Sequence, residues 1–323
     1  MCKLLSLVLL FLPSAATADS RLLYLEAQAV AGYSSRADDI IYHSAGRDDM
    51  MQKTSGGVDY LQKFSSENGD WGTLAIESRL AWDPDARARL QPQLYNGYFR
   101  TRTPYGYLWA GHNRIAMGLE SYFDTHAALM QTLQMYGAGF DRDWGAGASK
   151  DFDWGDAAFS LTAGSGMPLY LHGNYLASAR LSEGVLARDN YNTGLYFSGG
   201  KIPDITGYHI ENRTPETYNV AGTDFAYLLD RFEFRGDLRF GQKDGKGLYA
   251  ALGRFGVNFL EENRLKLELQ TVLTETNNIH DYFLTSGLAY AATPELSLRA
   301  IFEYENLGAD KRLMTQVYYY LKI

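Results

Sequence analysis

Arg231-Phe-Glu-Phe-Arg-Gly-Asp-Leu-Arg-Phe240 decides how the rest of the chain is read. Phe232, Phe234, Leu238 and Phe240 share one parity, and Arg231, Glu233, Arg235, Asp237 and Arg239 share the other. Successive side chains of a strand point to opposite faces, so this segment has one apolar side and one charged side. The period of two recurs. Leu265, Leu267 and Leu269 alternate with Lys266, Glu268 and Gln270. Leu296, Leu298, Ala300, Phe302 and Tyr304 alternate with Ser297, Arg299, Glu303 and Glu305, and Leu74, Ile76 and Leu80 with Thr73, Glu77 and Arg79. A helical period is almost absent.

Composition narrows the class. The 323 residues carry a net charge of −8, one cysteine, 24 Tyr, 32 Gly and 8 Pro, with 46% hydrophobic residues. So many aromatics exclude a disordered chain. One cysteine excludes a disulfide scaffold. The acidic balance argues against nucleic acid as a partner. Beyond the first residues no run approaches the length of a membrane helix. A soluble sandwich or a transmembrane β-barrel remains. Sandwich strands run about 3–10 residues; the alternating segments here run longer, as tilted membrane strands do. The start of the chain reads as a secretory signal peptide over residues 1–18: Lys3, the apolar run Leu4 to Leu12, then Ala16-Thr17-Ala18 as the cleavage site. An uncleaved anchor is the alternative. Cleavage leaves 323 − 18 = 305 residues, 19–323, as a single domain without cysteine.

Sixteen segments carry the strand signal: 21–33, 54–65, 70–82, 87–101, 104–113, 136–152, 153–165, 174–187, 190–201, 217–229, 231–242, 246–260, 263–276, 280–292, 295–307 and 311–323. The expected fold class is all-β, an antiparallel transmembrane barrel of sixteen strands within a range of 14–18, since 136–165 and 174–201 alternate less clearly. The links support it. Those after even-numbered segments are short, as at Ser66 to Gly69, Arg102 to Pro104 and Leu229-Asp230. Those after odd-numbered segments are often long: 34–53, 114–135, 166–173 and 202–216. Asp83-Pro84-Asp85 is a short exception, and a change of phase in the fourth segment predicts a bulge near Pro92. Short turns at one rim and long loops at the other are the habit of outer-membrane barrels.

The last segment places Leu313, Val317, Tyr319, Leu321 and Ile323 on one face. With this ending the whole mature chain resembles the sixteen-stranded porins of Gram-negative outer membranes, with Ile323 where Phe is common. Gly106-Tyr-Leu-Trp-Ala-Gly111 followed by Gly118-Leu119-Glu120-Ser121 resembles the wall-and-loop region of the phosphate-selective and related substrate porins. The resemblance implies an outer-membrane location, contact with lipid and lipopolysaccharide, a homotrimer, and a third external loop that folds inward and narrows the pore.

No phosphate-binding, dinucleotide, lipase or zinc-protease motif is present, and no cofactor is expected. The six histidines show no metal-ligand spacing. Asp141, Asp143, Asp151, Asp153 and Asp156 read as a solvated turn, with calcium as the alternative. A barrel turns its charged parity inward. Arg79, Arg231, Arg235, Arg239, Arg254, Lys266 and Arg299 are then lumen basics, joined by Arg100 and Arg102, and Glu77, Glu233, Asp237, Glu268 and Glu303 are lumen acids. Link 114–135 contributes Arg114, Glu120, Asp124 and His126, together with many apolar residues that need a surface. The reading is a non-enzymatic diffusion channel for small polar or anionic solutes, weakly anion-preferring, with the link as constriction opposite Arg79 and Arg100. The alternatives are an assembly barrel of an envelope complex, or a lipid hydrolase using Ser121 and His126.

Overall fold

The computed structural model describes residues 20–43, 52–67, 69–84, 89–123, 126 and 128–323; the expected signal peptide lies outside them. Sixteen long strands form the wall: β1 (Ser20–Ser34), β2 (Ser55–Ser66), β3 (Gly69–Trp82), β4 (Leu90–Thr103), β5 (Gly106–Arg114), β6 (Arg142–Phe152), β7 (Gly155–Thr162), β8 (Tyr175–Glu183), β9 (Tyr191–Thr206), β10 (His209–Leu229), β11 (Phe232–Lys243), β12 (Lys246–Phe259), β13 (Leu265–Thr276), β14 (Ile279–Ala291), β15 (Leu296–Glu305) and β16 (Asp310–Lys322). A three-residue strand, Asp39–Ile41, folds back on the end of β1. Each long strand pairs antiparallel with its chain neighbours. β16 pairs with β1 from Tyr24↔Lys322 to Ser34↔Arg312, which closes the sheet into a barrel. Closure pairs the backbone groups of every strand and leaves no edge, as a membrane-spanning sheet requires.

Side-chain parity sets the two surfaces. On β11, Phe234, Leu238 and Phe240 are exposed on the outer face while Asp237 and Arg239 are fully buried inside. Leu25, Leu80, Leu269, Phe302 and Val317 continue the outer apolar surface. Gln28, Gln93, Gln270 and Gln316 are buried on the inner one. An apolar band outside a polar interior is the surface a barrel presents to lipid.

All sixteen expected segments are present, including 153–165 and 174–187. Three local expectations change. The sixth strand starts at Arg142, because Gly137 and Gly139 adopt positive φ and 136–141 belong to the preceding loop. The expected loop 202–216 is instead a hairpin, with β9 and β10 continuing to Thr206 and His209 around Gly207 and the Tyr208 hydroxyl donating to the Leu94 carbonyl at 3.2 Å. The bulge falls at Tyr95 and not at Pro92: Pro92 pairs with Leu80, whereas Glu77↔Asn96 and Ser78↔Leu94 skip Tyr95. Tyr95 is fully buried, with Arg142 at 3.9 Å and Arg79 at 5.5 Å from its ring.

Candidate functional site

Loop 115–141 fills part of the lumen, and its apolar residues are held by three patches of the inner wall. Ile115, Met117 and Phe140 pack on Leu176, Tyr196, Ile202, Tyr218, Val220 and Leu248. Leu119, Leu133 and Ala138 pack on Ala250, Leu252 and Val272. Leu129 and Met130 pack on Val30, Ile301 and Met314. This explains why an apolar link is stable in a polar lumen: small gaps between the wall's charges are apolar where the loop touches them.

Two charged anchors fix the loop. At the first, Arg239 Nη2 donates to Glu120 Oε2 at 2.5 Å and to Asp237 Oδ2 at 2.9 Å. Its Nε donates to Tyr196 Oη at 3.0 Å, and its Nη1 donates to the Ala138 carbonyl. The Leu119 N–H donates to Asp237 Oδ2 at 3.2 Å. Gly118 turns the chain here with φ of 58°, and a side chain at that position would collide with Asp237 and Arg239. Burial pushes the Glu120 carboxyl up to about 7, against the pull of Arg239, with Asp237 pushing the same way as burial.

At the second anchor His126 lies between two wall carboxylates. Its Nε2 is 2.6 Å from Glu26 Oε2 and its Nδ1 is 2.9 Å from Glu77 Oε1. Arg79 lies 3.7 Å from Glu26, and the Tyr95 ring meets the imidazole edge-on at 4.3 Å. Burial favours the neutral ring, but the two carboxylates outweigh it and raise the histidine to about 9. The ring is then an imidazolium whose Nε2–H donates to Glu26 and whose Nδ1 side lies at ion-pair distance from Glu77. Ligand atoms of Glu26, Glu77 and His126 lie within 4.8 Å of one another. Each ring nitrogen nevertheless faces its own carboxylate and Arg79 adds positive charge, so the arrangement is an ion network and a poor chelate.

Between the anchors, aromatic residues of the loop meet wall arginines. Tyr122 packs under Arg180 at 4.7 Å, and Phe123 lies between Arg235 at 4.1 Å and Arg254 at 5.1 Å. Arg254 Nη2 donates to the carbonyls of Met130 at 3.2 Å and Gln131 at 3.1 Å. On the short-turn side of the loop lies a cavity of about 600 Å³, lined by Asp59, Glu77, Phe123, Arg254, Arg299 and Tyr320 among others.

The expected site residues divide. Arg79, Arg235, Arg239 and Arg299 lie on the inner wall, but Arg79 packs beside the loop at the second anchor instead of facing it across a gap. Arg100 lies lower in the barrel, over the Tyr107 ring at 5.0 Å, and Arg102 pairs with Tyr107 in the ladder. Arg114 ends β5 opposite Arg142. Arg231 is exposed at the turn before β11, stacked on Phe232 at 5.3 Å, and so is not a lumen residue. Glu120 and His126 are the two loop anchors. Asp124 lies outside the described residues. Ser121 and His126 do not form a pair: the Ser121 hydroxyl donates to the Gly118 carbonyl at 2.8 Å. Asp141 and Asp143 are buried at the long-loop rim, not in a solvated turn. Asp143 accepts the N–H groups of Gly164, Ser165 and Gly166 and so fixes the next loop.

Sequence reasoning missed Arg142, Arg180 and Arg312, and the acids Glu26, Asp59 and Asp224. Arg180 donates to Asp224 at 2.6 and 2.9 Å, and Arg312 reaches Glu303 at 3.0 Å and Glu305 at 2.9 Å. The signal for Arg180 was present: Ala177, Ala179 and Leu181 alternate with Ser178, Arg180 and Ser182, but small residues mute the apolar face.

No family model and no curated protein sequence matches the chain. Solved structures match over the whole barrel. The anion-selective porin from Comamonas acidovorans is 11% identical with a TM-score of 0.64, covering 94% of this chain and 100% of that one. Salmonella typhi OmpF, solved in complex with daunomycin, is 10% identical with a TM-score of 0.64, covering 93% and 97%. The trimer form of Vibrio cholerae OmpT, an outer membrane protein, is 11% identical with a TM-score of 0.59, covering 94% and 100%. The fold is that of the outer-membrane porins, a closed sixteen-stranded antiparallel barrel.

Proposed function

We propose that the chain is a non-enzymatic outer-membrane channel for passive diffusion of small hydrophilic solutes, with a weak anion preference. The carrying observation is the pairing of an apolar outer wall with a charged lumen in which loop 115–141 leaves a cavity of about 600 Å³. A barrel of this size holds an aqueous path when its interior is polar. The preference for anions arises at the cavity, where Arg254 bonds to an amide and to two loop carbonyls. Elsewhere most lumen basics are neutralised by acids. The outer wall would contact lipid and lipopolysaccharide, and a homotrimer fits the trimer form of the Vibrio cholerae neighbour. Solutes reach the cavity past the loop, whose position sets the narrowest passage.

Planar-bilayer recording tests this. Discrete conductance steps are expected, with a reversal potential slightly toward the anion that shifts back toward zero when Arg254 becomes Gln. The preference fades with added salt, because screening acts over about 8 Å at physiological ionic strength. Deleting 117–132 raises the conductance. Electrical silence from a barrel shown to be folded refutes the channel.

A further inference from the structure

The cavity under the loop has an unusual charge balance. Several of its lining charges are matched within the protein: Glu77 with His126, and Lys266 with Glu268 at 3.0 Å. Two are not. Asp59, on β2, accepts the Tyr320 hydroxyl at 2.5 Å, and among the described residues no cation lies within ion-pair distance of it. Arg254, on β12, bonds only to Gln270 at 2.7 Å and to the two loop carbonyls, and no described carboxylate lies within that distance of it. Both line the one cavity from walls six strands apart around the ring. Phe123, Tyr98 and Tyr320 supply apolar faces between them. Arg254 is buried and Asp59 half-buried; a charge drawn out of water without a counter-charge is costly, the more so the deeper it lies, and the cost is relieved when a ligand brings the missing partner. Here the missing partners are one anion and one cation on a single small body. Cavities of about 300–1,000 Å³ are the size that small organic ligands occupy.

We propose that this cavity is a binding site for zwitterionic solutes of amino-acid to dipeptide size, the carboxylate held by Arg254 and the ammonium by Asp59. The proposal rests on the channel reading and names the solute class that the channel retains on its way through. Binding at the cavity slows a zwitterion relative to potassium chloride, and a singly charged analogue satisfies only one end.

The test uses the refolded full barrel in detergent, titrated by calorimetry with glycyl-phenylalanine, its N-acetylated anion and its amidated cation. The same preparation is recorded in planar bilayers. The zwitterion is expected to bind at least about tenfold more tightly than either analogue, the equivalent of one charge-assisted contact. Asp59→Asn keeps an acceptor for the Tyr320 hydroxyl; it removes the advantage over the N-acetylated form and keeps the advantage over the amide. Arg254→Gln does the reverse. Equal binding of the three ligands, or an unchanged order in Asp59→Asn, overturns the site. Conductance steps without that order leave the channel standing and overturn the site. The order without conductance leaves the site standing and overturns the channel.

Discussion

At one anchor a wall arginine holds a loop acid; at the other, two wall acids hold a loop histidine. Glu120, Asp237 and Arg239 carry two negative charges and one positive in a fully buried place. Glu26, Glu77, Arg79 and His126 carry two of each when the histidine is protonated. Each cluster becomes neutral by keeping one proton, on Glu120 or on His126. The positions differ in where that proton sits. At Glu120 it removes an unwanted charge. At His126 it supplies the charge that holds the loop. Anchors that look symmetrical around the lumen should therefore respond oppositely to loss of charge.

The largest effect is expected from Arg239→Met. It leaves Glu120 and Asp237 buried together without their guanidinium and takes a donor from the Ala138 carbonyl. Removing one partner of a buried pair costs about 3–5 kcal/mol. The loop should leave its seat, seen as a larger single-channel conductance and as protease cleavage within 115–141. If His126→Gln opens the loop more than Arg239→Met, the ranking of the two anchors is reversed.

His126→Gln comes next. The histidine is raised from 6.5 to about 9 in the folded loop. A base raised on folding contributes stability in full below 6.5 and loses it as the pH rises through 9. The shift corresponds to about 3 kcal/mol. In the wild type, conductance should increase between pH 6.5 and 9 as the latch weakens. In His126→Gln it should start high and stay flat across that window. A wild-type conductance independent of pH over this range breaks the assignment of the proton to His126.

Strand positions, facing and the loop's inward path were legible because each rests on local alternation or on apolar content. Arg235, Asp237 and Arg239 read as inward from β11 alone. The anchors were only half legible. Glu120 and His126 stood out as charged residues in an apolar link, but their partners come from strands far away in sequence, and Glu26 lies on a strand whose Ala27, Ala29 and Ala31 give a shallow contrast. Arg231 failed for a different reason. Parity assigns a face but not a height, and the last residue before a strand can share the inward parity while standing in the turn. Tyr95 shows the converse: a bulge resets parity, so residues after it face the way that the earlier pattern denies.

Gly118→Ala probes the first anchor without removing charge. Its φ of 58° is costly for a residue with a side chain, and the methyl group would meet Asp237 and Arg239. Left-handed backbone costs about 1–2 kcal/mol, and relaxation of the anchor adds to it. Thermal unfolding should fall, with a conductance change smaller than that of Arg239→Met. An unchanged transition would mean that the turn shifts freely and that the anchor does not depend on it.

Glu120→Gln is expected to do least, and it separates the anchors most cleanly. The amide oxygen still accepts from Arg239, and Asp237 remains as the counter-ion. The charge removed is one that burial disfavours, which is why the carboxyl is raised from 4.5 to about 7. An acid raised on folding holds its proton more tightly in the folded state, so its contribution is greatest below 4.5 and is lost as the pH climbs through 7. Glutamine mimics the protonated form at every pH. At pH 5, where the wild-type carboxyl still holds its proton, the variant should therefore change stability by less than about 1 kcal/mol; it should abolish the wild-type decline between pH 4.5 and 7, while the His126 transition above 6.5 persists. Unfolding curves in lipid at pH 5, 7 and 9 distinguish the cases. If Glu120→Gln loosens the loop as strongly as Arg239→Met, the first anchor is held by the negative charge of Glu120 after all, and the contrast between the two anchors disappears.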